Sequence, residues 1–95
     1  MLEKKNDLLN NHYVNGAMQP IQVMQALMTR EQFIGFLFGN EIKYRMRMNY
    51  KGQKDSDFKK ALIYNYWRFL VLKDEKYLIT PERDVLPEDW TYRVF

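Results

Sequence analysis

The chain has 95 residues, of which 46% are hydrophobic, 16% aromatic and 28% charged, with a net charge of +3. This length allows one compact domain, and the apolar content exceeds that of a disordered chain. No cysteine and one histidine are present, which excludes thiolate sites and argues against zinc, so we expect no metal. The charge is too low for a dedicated duplex-DNA binder, and we expect no specific duplex DNA binding.

The N-terminus is polar, and no stretch approaches the roughly 20 apolar residues that span a bilayer. We therefore expect a cytoplasmic protein without membrane association. So much apolar surface in so short a chain also favours a homo-oligomer. We divide the chain into an N-terminal arm (1–11), a helical nucleotide-binding-like domain (12–72) and a C-terminal extension of that domain (73–95).

Three helices are predicted in chain order. Pro20 suits the first position of a helix that runs to about Met28. Thr29 and Gln32 form a capping box that starts a second helix, reaching about Met48, whose apolar first half predicts burial all round, in a core or between subunits. After a loop over 49–54, Asp55 or Ser56 caps a third helix.

The C-terminal third is less regular. Residues 66–72 suit a helix or a strand, because apolar runs are ambiguous. Residues 80–82 resemble a short helix start, and 90–95 alternate in a way that allows pairing with 77–79. The predicted fold class is mainly α, a small helical domain of three to four helices, and it allows a short C-terminal β ribbon.

A polar stripe interrupts the second helix. Asn40, Lys43, Tyr44 and Arg47 recur at helical spacing and share one face, and Lys51 follows in the loop. Converging cations beside an amide and a phenol suit a phosphate clamp. A merely solvated helix face is the alternative interpretation.

The third helix carries a matching stripe. Asp57, Lys60, Tyr64 and Trp67 again lie near one face, and antiparallel packing would turn the two stripes toward each other. Asp57 would then orient Lys43, Arg47 or Lys60, or else serve only the helix N-terminus. For the two aromatic residues, a place in the core is the better interpretation.

His12, Tyr13 and Gly16 precede the first helix. These residue types just before a helix N-terminus suit an anion or base pocket, although a single loop histidine is more often incidental. The sequence has no G-x-x-x-x-G-K-[ST] motif, which excludes a P-loop kinase. Its acidic residues are scattered, which argues against metal-assisted hydrolysis.

Several blocks together resemble the signature of a small phage protein family of the SaV-like type. They are His12-Tyr13-x-x-Gly16-x-x-Gln19-Pro20-Ile21, Gly39-Asn40-x-x-Lys43-Tyr44-x-x-Arg47, Lys51-Gly52 and Asp57-Phe58-x-Lys60-Ala61-x-x-Tyr64. The same domain is similar to part of the P-loop-less nucleotide kinase of podophages that infect enteric bacteria. The resemblance runs from about residue 12 to residue 68.

The resemblance implies a helical domain, an oligomeric assembly, nucleotide binding and the cytoplasm of an infected bacterial host. The implied ligand-binding residues are His12, Tyr13, Asn40, Lys43, Tyr44, Arg47, Lys51, Asp57 and Lys60. Residues 45–50 are bulkier than is usual in the family. The chain also lacks the additional sequence of the longer kinase, so kinase activity does not carry over with the likeness.

Three functions are open. The first is binding and sequestration of a nucleotide or a nucleotide-derived defence signal, of cyclic oligonucleotide or ADP-ribose type. The second is a nucleoside monophosphate kinase-like phosphotransferase, and only this one would require ATP and Mg²⁺. The third is a protein-binding inhibitor of a host factor, with hot spots on aromatic residues. Binding without catalysis and without a cofactor is placed first.

Overall fold

A computed structural model of the chain describes residues 18–50 and 54–93. In these ranges it contains three α-helices: α1 (Pro20–Leu27), α2 (Arg30–Arg47) and α3 (Lys54–Lys73). Residues 74–93 follow without regular secondary structure. The prediction of a mainly helical domain is confirmed. Nothing in the described helices is both long and apolar enough to cross a membrane.

The start of α2 follows directly from its sequence. The Thr29 hydroxyl accepts the Gln32 backbone N–H at 3.1 Å, and the Gln32 side chain accepts the Thr29 N–H at 3.0 Å. The predicted capping box is therefore confirmed, since two N–H groups that a helix leaves unpaired are both satisfied. In α1, Pro20 occupies the first turn as predicted, and the helix ends one residue before the expected Met28.

The third helix resolves an ambiguity and corrects a boundary. Residues 66–72 are helical, so the alternative of a strand is wrong. Since α3 begins at Lys54, the predicted cap at Asp55 or Ser56 is also wrong, and both residues lie within the first turn. Asp55 there still favours the positive end of the helix dipole.

The apolar core joins all three helices to the C-terminal segment. Phe33 and Leu37, one turn apart on α2, are buried with Ile21 of α1, Val71 of α3 and Ile79. Spacing of four residues places Phe33 and Leu37 on one face of the helix, so α2 presents a single stripe to the core. Within the single chain its opposite side is exposed, so the core of one chain does not bury this helix all round, and burial between subunits stays a prediction.

A fully buried polar cluster ties α2 to α3. Glu41 and Arg68 form an ion pair in which both side chains are at most 1% exposed. The Arg68 Nη2 atom donates to Glu41 Oε1 at 3.1 Å, and Asn65 Nδ2 donates to the same oxygen at 2.7 Å. Glu41, Asn65 and Arg68 thus meet between the helices, and their hydrogen bonds offset the cost of burying charge.

The C-terminal segment attaches through side-chain amides rather than through a sheet. Gln25 donates to the Tyr77 carbonyl at 2.7 Å and accepts the Ile79 N–H at 2.9 Å. Asn65 likewise donates to the Arg93 carbonyl at 2.6 Å and accepts the Arg93 N–H at 2.9 Å. Because these backbone groups already have partners, residues 77–79 and 90–93 do not pair as strands, and the predicted ribbon is wrong over these residues.

Asp84 organises the loop between these two attachments. Its carboxylate accepts the Thr80 N–H at 2.9 Å and the Tyr77 hydroxyl, while its carbonyl accepts the Trp67 indole N–H at 2.9 Å. The Arg83 and Asp84 N–H groups both donate to the Thr80 carbonyl, at 2.9 and 2.7 Å. The helix start expected at 80–82 is therefore a single turn.

We predict that Glu41→Gln and Arg68→Met each lower the free energy of unfolding by about 3–5 kcal/mol, because each strands the other charge in the interior. The double variant Glu41→Leu with Arg68→Met should recover much of that loss. Urea denaturation followed by circular dichroism measures all three. Single-variant losses below about 1 kcal/mol would contradict a buried ion pair.

We predict that Asp84 makes stability depend on acid pH. Burial alone would raise the pKa of Asp84, but hydrogen bonds from Thr80, Tyr77 and Arg83 outweigh it and hold the pKa below its ordinary value of 3.8. The Asp84 contribution is then fully present above the unfolded-state pKa and is lost as the pH falls through the lower folded-state pKa.

Asp84→Asn should therefore lower the free energy of unfolding by about 1–3 kcal/mol at neutral pH. The difference in the free energy of unfolding between the variant and the wild type should shrink as the pH is lowered into the strongly acidic range. Urea titrations at several pH values test this. If this difference stays constant with pH, the loss of stability comes from the altered packing of the side chain and not from the loss of the Asp84 charge.

Candidate anion-binding site

The two longest helices form an antiparallel hairpin. Near one end of the hairpin, Arg30 of α2 donates to the Val71 carbonyl of α3 at 3.1 Å. Toward the other end, Tyr44 of α2 lies beside Lys60 and Tyr64 of α3. The order of these contacts reverses along the two helices, so the polar stripes predicted from spacing do face each other.

Tyr44 is the centre of the region where the stripes meet. Three cations lie near its ring centroid: the Lys43 Nζ at 4.5 Å, the Lys60 Nζ at 5.3 Å and the Arg47 Cζ at 5.6 Å. The Tyr64 ring stacks on Tyr44 with centroids 6.0 Å apart and planes 7° apart. We call Lys43, Tyr44, Arg47, Lys60 and Tyr64 the tyrosine–cation cluster.

Aromatic packing fixes the position of this cluster. Tyr64 meets Phe36 and Trp67 edge to face, at centroid distances of 6.2 and 5.7 Å. Both neighbours are half-buried and pack against the apolar core. Burial, followed by the neighbouring Tyr44, raises the pKa of Tyr64. The phenol therefore stays neutral at physiological pH and offsets none of the positive charge around it.

The cations of the cluster have no acidic partner among the described residues. The ion pairs found there are Glu41 with Arg68 and Arg83 with Asp84. The Nε atom of Arg47 is moreover buried without a hydrogen-bond partner in the described part of the chain. Three cations held at one ring and left unneutralised create a local positive potential, which suits an anion.

Asp57 lies one turn before Lys60 on α3 and is fully buried. Neither of its carboxylate oxygens has a hydrogen-bond partner within the described ranges. The expected role of orienting Lys43, Arg47 or Lys60 is not seen, because Asp57 forms no ion pair with any of them there. A buried carboxylate without partners destabilises the fold unless another group supplies donors.

The remaining predicted residues fall into two groups. The Asn40 Nδ2 atom donates to the Phe36 carbonyl at 2.9 Å, four residues back on the same helix. The Asn40 side-chain amide therefore makes a local contact within α2. His12, Tyr13 and Lys51 lie outside the described residues.

An apolar groove begins beside the cluster. It has a volume of about 380 Å³ and lies between α3 and the C-terminal loop. Its lining residues are Lys59, Lys60, Ile63, Trp67, Pro81, Asp84, Val85 and Leu86. Lys60 belongs to both the groove and the cluster, so the two adjoin at this residue.

Sequence reasoning missed the C-terminal wall of this groove. Pro81, Val85 and Leu86 carry no motif, and their position depends on the Asp84 turn. It also missed the Glu41–Asn65–Arg68 network, for which a signal exists: these polar residues occupy inward positions on apolar helices. Within the described ranges, no group of three or more acidic or histidine side chains is placed to hold a metal ion.

Fold and site together define a small helical protein that carries a cationic cluster on an antiparallel hairpin, with no acidic partner for these cations in ranges 18–50 and 54–93. The chain belongs to the family described as protein of unknown function DUF3310, whose model matches residues 4–66. It is similar to the Gene 1.7 protein of Enterobacteria phage T3, with 39% identity over 67 residues. This match covers 65% of the chain and 41% of the phage protein, so the chain spans less than half of that relative.

No solved structure matches the chain. The predicted kinship with small phage proteins is confirmed by the family and by its phage relative. Nucleotide binding and the likeness to a nucleotide kinase stay predictions.

We predict that Asp57→Asn stabilises the unliganded protein. The substitution keeps the size of the side chain and removes a buried charge that has no described partner. The expected gain is about 1 kcal/mol, because the cost of burying the charge exceeds the favourable helix-dipole interaction that is lost.

Thermal unfolding without ligand measures this change. Asp55→Asn is the matched control, because Asp55 lies in the same first turn but is exposed. It should lower stability slightly through the helix dipole alone. A clear loss for Asp57→Asn would mean that the carboxylate has a partner of its own in the free protein.

Proposed function

We propose that this protein binds a nucleotide-like phosphate ligand and sequesters it. One observation carries the proposal: three cations surround a single tyrosine ring, and none is paired with a carboxylate among the described residues. Cations in proteins are usually neutralised by acidic side chains or solvent, and a converging unpaired set is the arrangement that phosphate groups require.

The chemistry of the cluster suits a phosphate more than a carboxylate. Arg47 offers a planar fork of donors, while Lys43 and Lys60 add two mobile point charges from opposite helices. A phosphate presents several acceptor oxygens in three dimensions, so donors that approach from two helices can all bind it. Cation–π contacts with the Tyr44 ring hold the three charged groups near one another before the ligand arrives.

The groove beside Lys60 supplies the second half of the proposed site. The open apolar groove lined by Ile63, Trp67 and Leu86 suits a flat, weakly polar group such as a nucleobase. A nucleoside phosphate joins those two chemistries in one molecule. We therefore place the phosphate on the tyrosine–cation cluster and the nucleoside toward the groove.

The phage relative supports the biological setting of the proposal. We propose that the protein acts in the cytoplasm of an infected bacterium and assembles as a homo-oligomer. The proposed ligand is a nucleotide-derived defence signal, such as a cyclic oligonucleotide or an ADP-ribose derivative. Sequestration requires only affinity and slow release, both of which a charged clamp beside an apolar groove provides.

A ligand-recovery experiment tests the proposal. The purified protein is incubated with nucleoside phosphates, cyclic oligonucleotides and ADP-ribose derivatives, with and without ATP and Mg²⁺, then separated and denatured. Mass spectrometry of the released material should show an intact ligand. A newly phosphorylated product would identify the kinase alternative. A protein that stays empty throughout would contradict nucleotide binding and direct the search to a host protein.

We predict that Lys43→Gln combined with Arg47→Gln weakens binding of the recovered ligand by about 100-fold, since each charged hydrogen bond contributes about 1.5 kcal/mol or more. Isothermal titration calorimetry measures the dissociation constant. The matched control is Lys73→Gln combined with Lys76→Gln, which removes two exposed positive charges away from the cluster. Equal effects of the two pairs would mean that net charge, rather than this cluster, attracts the ligand.

A further inference from the structure

The outward side of α2 carries a second feature, distinct from the cation cluster. Four small or apolar residues recur at helical spacing on this side: Gly35, Gly39, Ile42 and Met46. They lie opposite the buried Phe33 and Leu37. Ile42 is 45% exposed and Met46 is 57% exposed. We call these four residues the outer face of α2.

The glycines of this face are not explained by packing within the described chain. A Cβ atom built on Gly35 or Gly39 meets nothing within 4 Å. Glycine inside a helix is less stable than alanine, because it loses more backbone freedom on folding. The two glycines lower the helix propensity of α2, and the two apolar side chains are left in water. Close packing of another helix would offset the first effect and remove the second.

We infer that a second copy of this chain packs on the outer face of α2, with the two helices antiparallel and related by a two-fold axis. We place the two-fold axis at the level between residues 38 and 39 of α2. In that arrangement Ile42 lies opposite Gly35 of the second copy, so a large side chain fills the space over a small one. The same contact is made twice, as an isologous interface requires.

Charge complementarity favours the same arrangement. Glu31 stands in the first turn of α2, whereas Arg45 and Arg47 stand in its last turn. Antiparallel packing brings Glu31 of one copy to the level of residue 46 of the other, beside Arg45. The two helix dipoles also run in opposite directions, which is favourable. A parallel arrangement would instead place like charges together.

The oligomeric state tests this inference on the full chain, with no ligand present. Sedimentation velocity over a range of concentrations should show a reversible dimer or a multiple of it. Ile42→Asp combined with Met46→Asp should raise the dissociation constant of the assembly at least about tenfold. Leu78→Asp combined with Val85→Asp is the control, because these side chains are 67% and 64% exposed outside α2, and it should leave assembly unchanged.

Gly39→Leu separates assembly from folding. It fills space that is open in the single chain and improves helix propensity, so the melting temperature of the monomer should rise while the assembly dissociates. Exchange of charges tests the direction of packing: Glu31→Arg alone should weaken assembly, and adding Arg45→Glu should restore it. Circular dichroism checks that the Arg45 variant folds, since Arg45 also lies 4.6 Å from the Tyr92 ring.

A wild-type chain that is monomeric at every concentration would overturn the inference. So would an assembly that tolerates both Ile42→Asp with Met46→Asp and Gly39→Leu. Failure of the charge exchange to restore assembly would overturn the antiparallel arrangement. A monomeric chain would also overturn the homo-oligomer of the proposed function. It would leave the proposed ligand binding unaffected, because the tyrosine–cation cluster lies on the α3-facing side of α2.

Discussion

The ion pair of Glu41 and Arg68 is the contact on which the arrangement of the helices depends. It lies between α2 and α3, and both side chains are essentially inaccessible to solvent. An apolar contact tolerates small rotations of a helix. A buried ion pair does not, because a misaligned charge loses its partner and is not solvated by water. This pair therefore sets which faces of the two helices meet.

The orientation that Glu41 gives to α2 also determines the candidate site, because Tyr44 lies three residues after Glu41. With Glu41 turned toward Arg68, the helical repeat directs Tyr44 toward Tyr64 and leaves the charged groups of Lys43 and Arg47 near the Tyr44 ring. The cations of the cluster are thus positioned by a buried charge pair that lies outside the cluster. One hairpin therefore holds both a buried ion pair and a set of cations that have no acidic partner in the part of the chain that the structure describes.

Much of the hairpin was predictable because its signals are local. The capping box of Thr29 and Gln32 and the spacing of Lys43, Tyr44 and Arg47 depend on neighbours within one or two turns. The C-terminal segment was not, because Gln25 and Asn65 bind its backbone from 52 and 28 residues away. Alternating apolar residues at 90–95 indicate a strand only when no side chain competes for the same N–H and carbonyl groups.

The use of Gln25 and Asn65 as backbone partners has a consequence for solubility. A two-stranded ribbon at the C-terminus would have two open edges, each a template for pairing with another chain. Here the Gln25 amide binds backbone groups of residues 77–79, and the Asn65 amide binds those of Arg93. An aromatic, strand-like sequence is thereby attached to a helical protein without creating an extended edge on which aggregates grow.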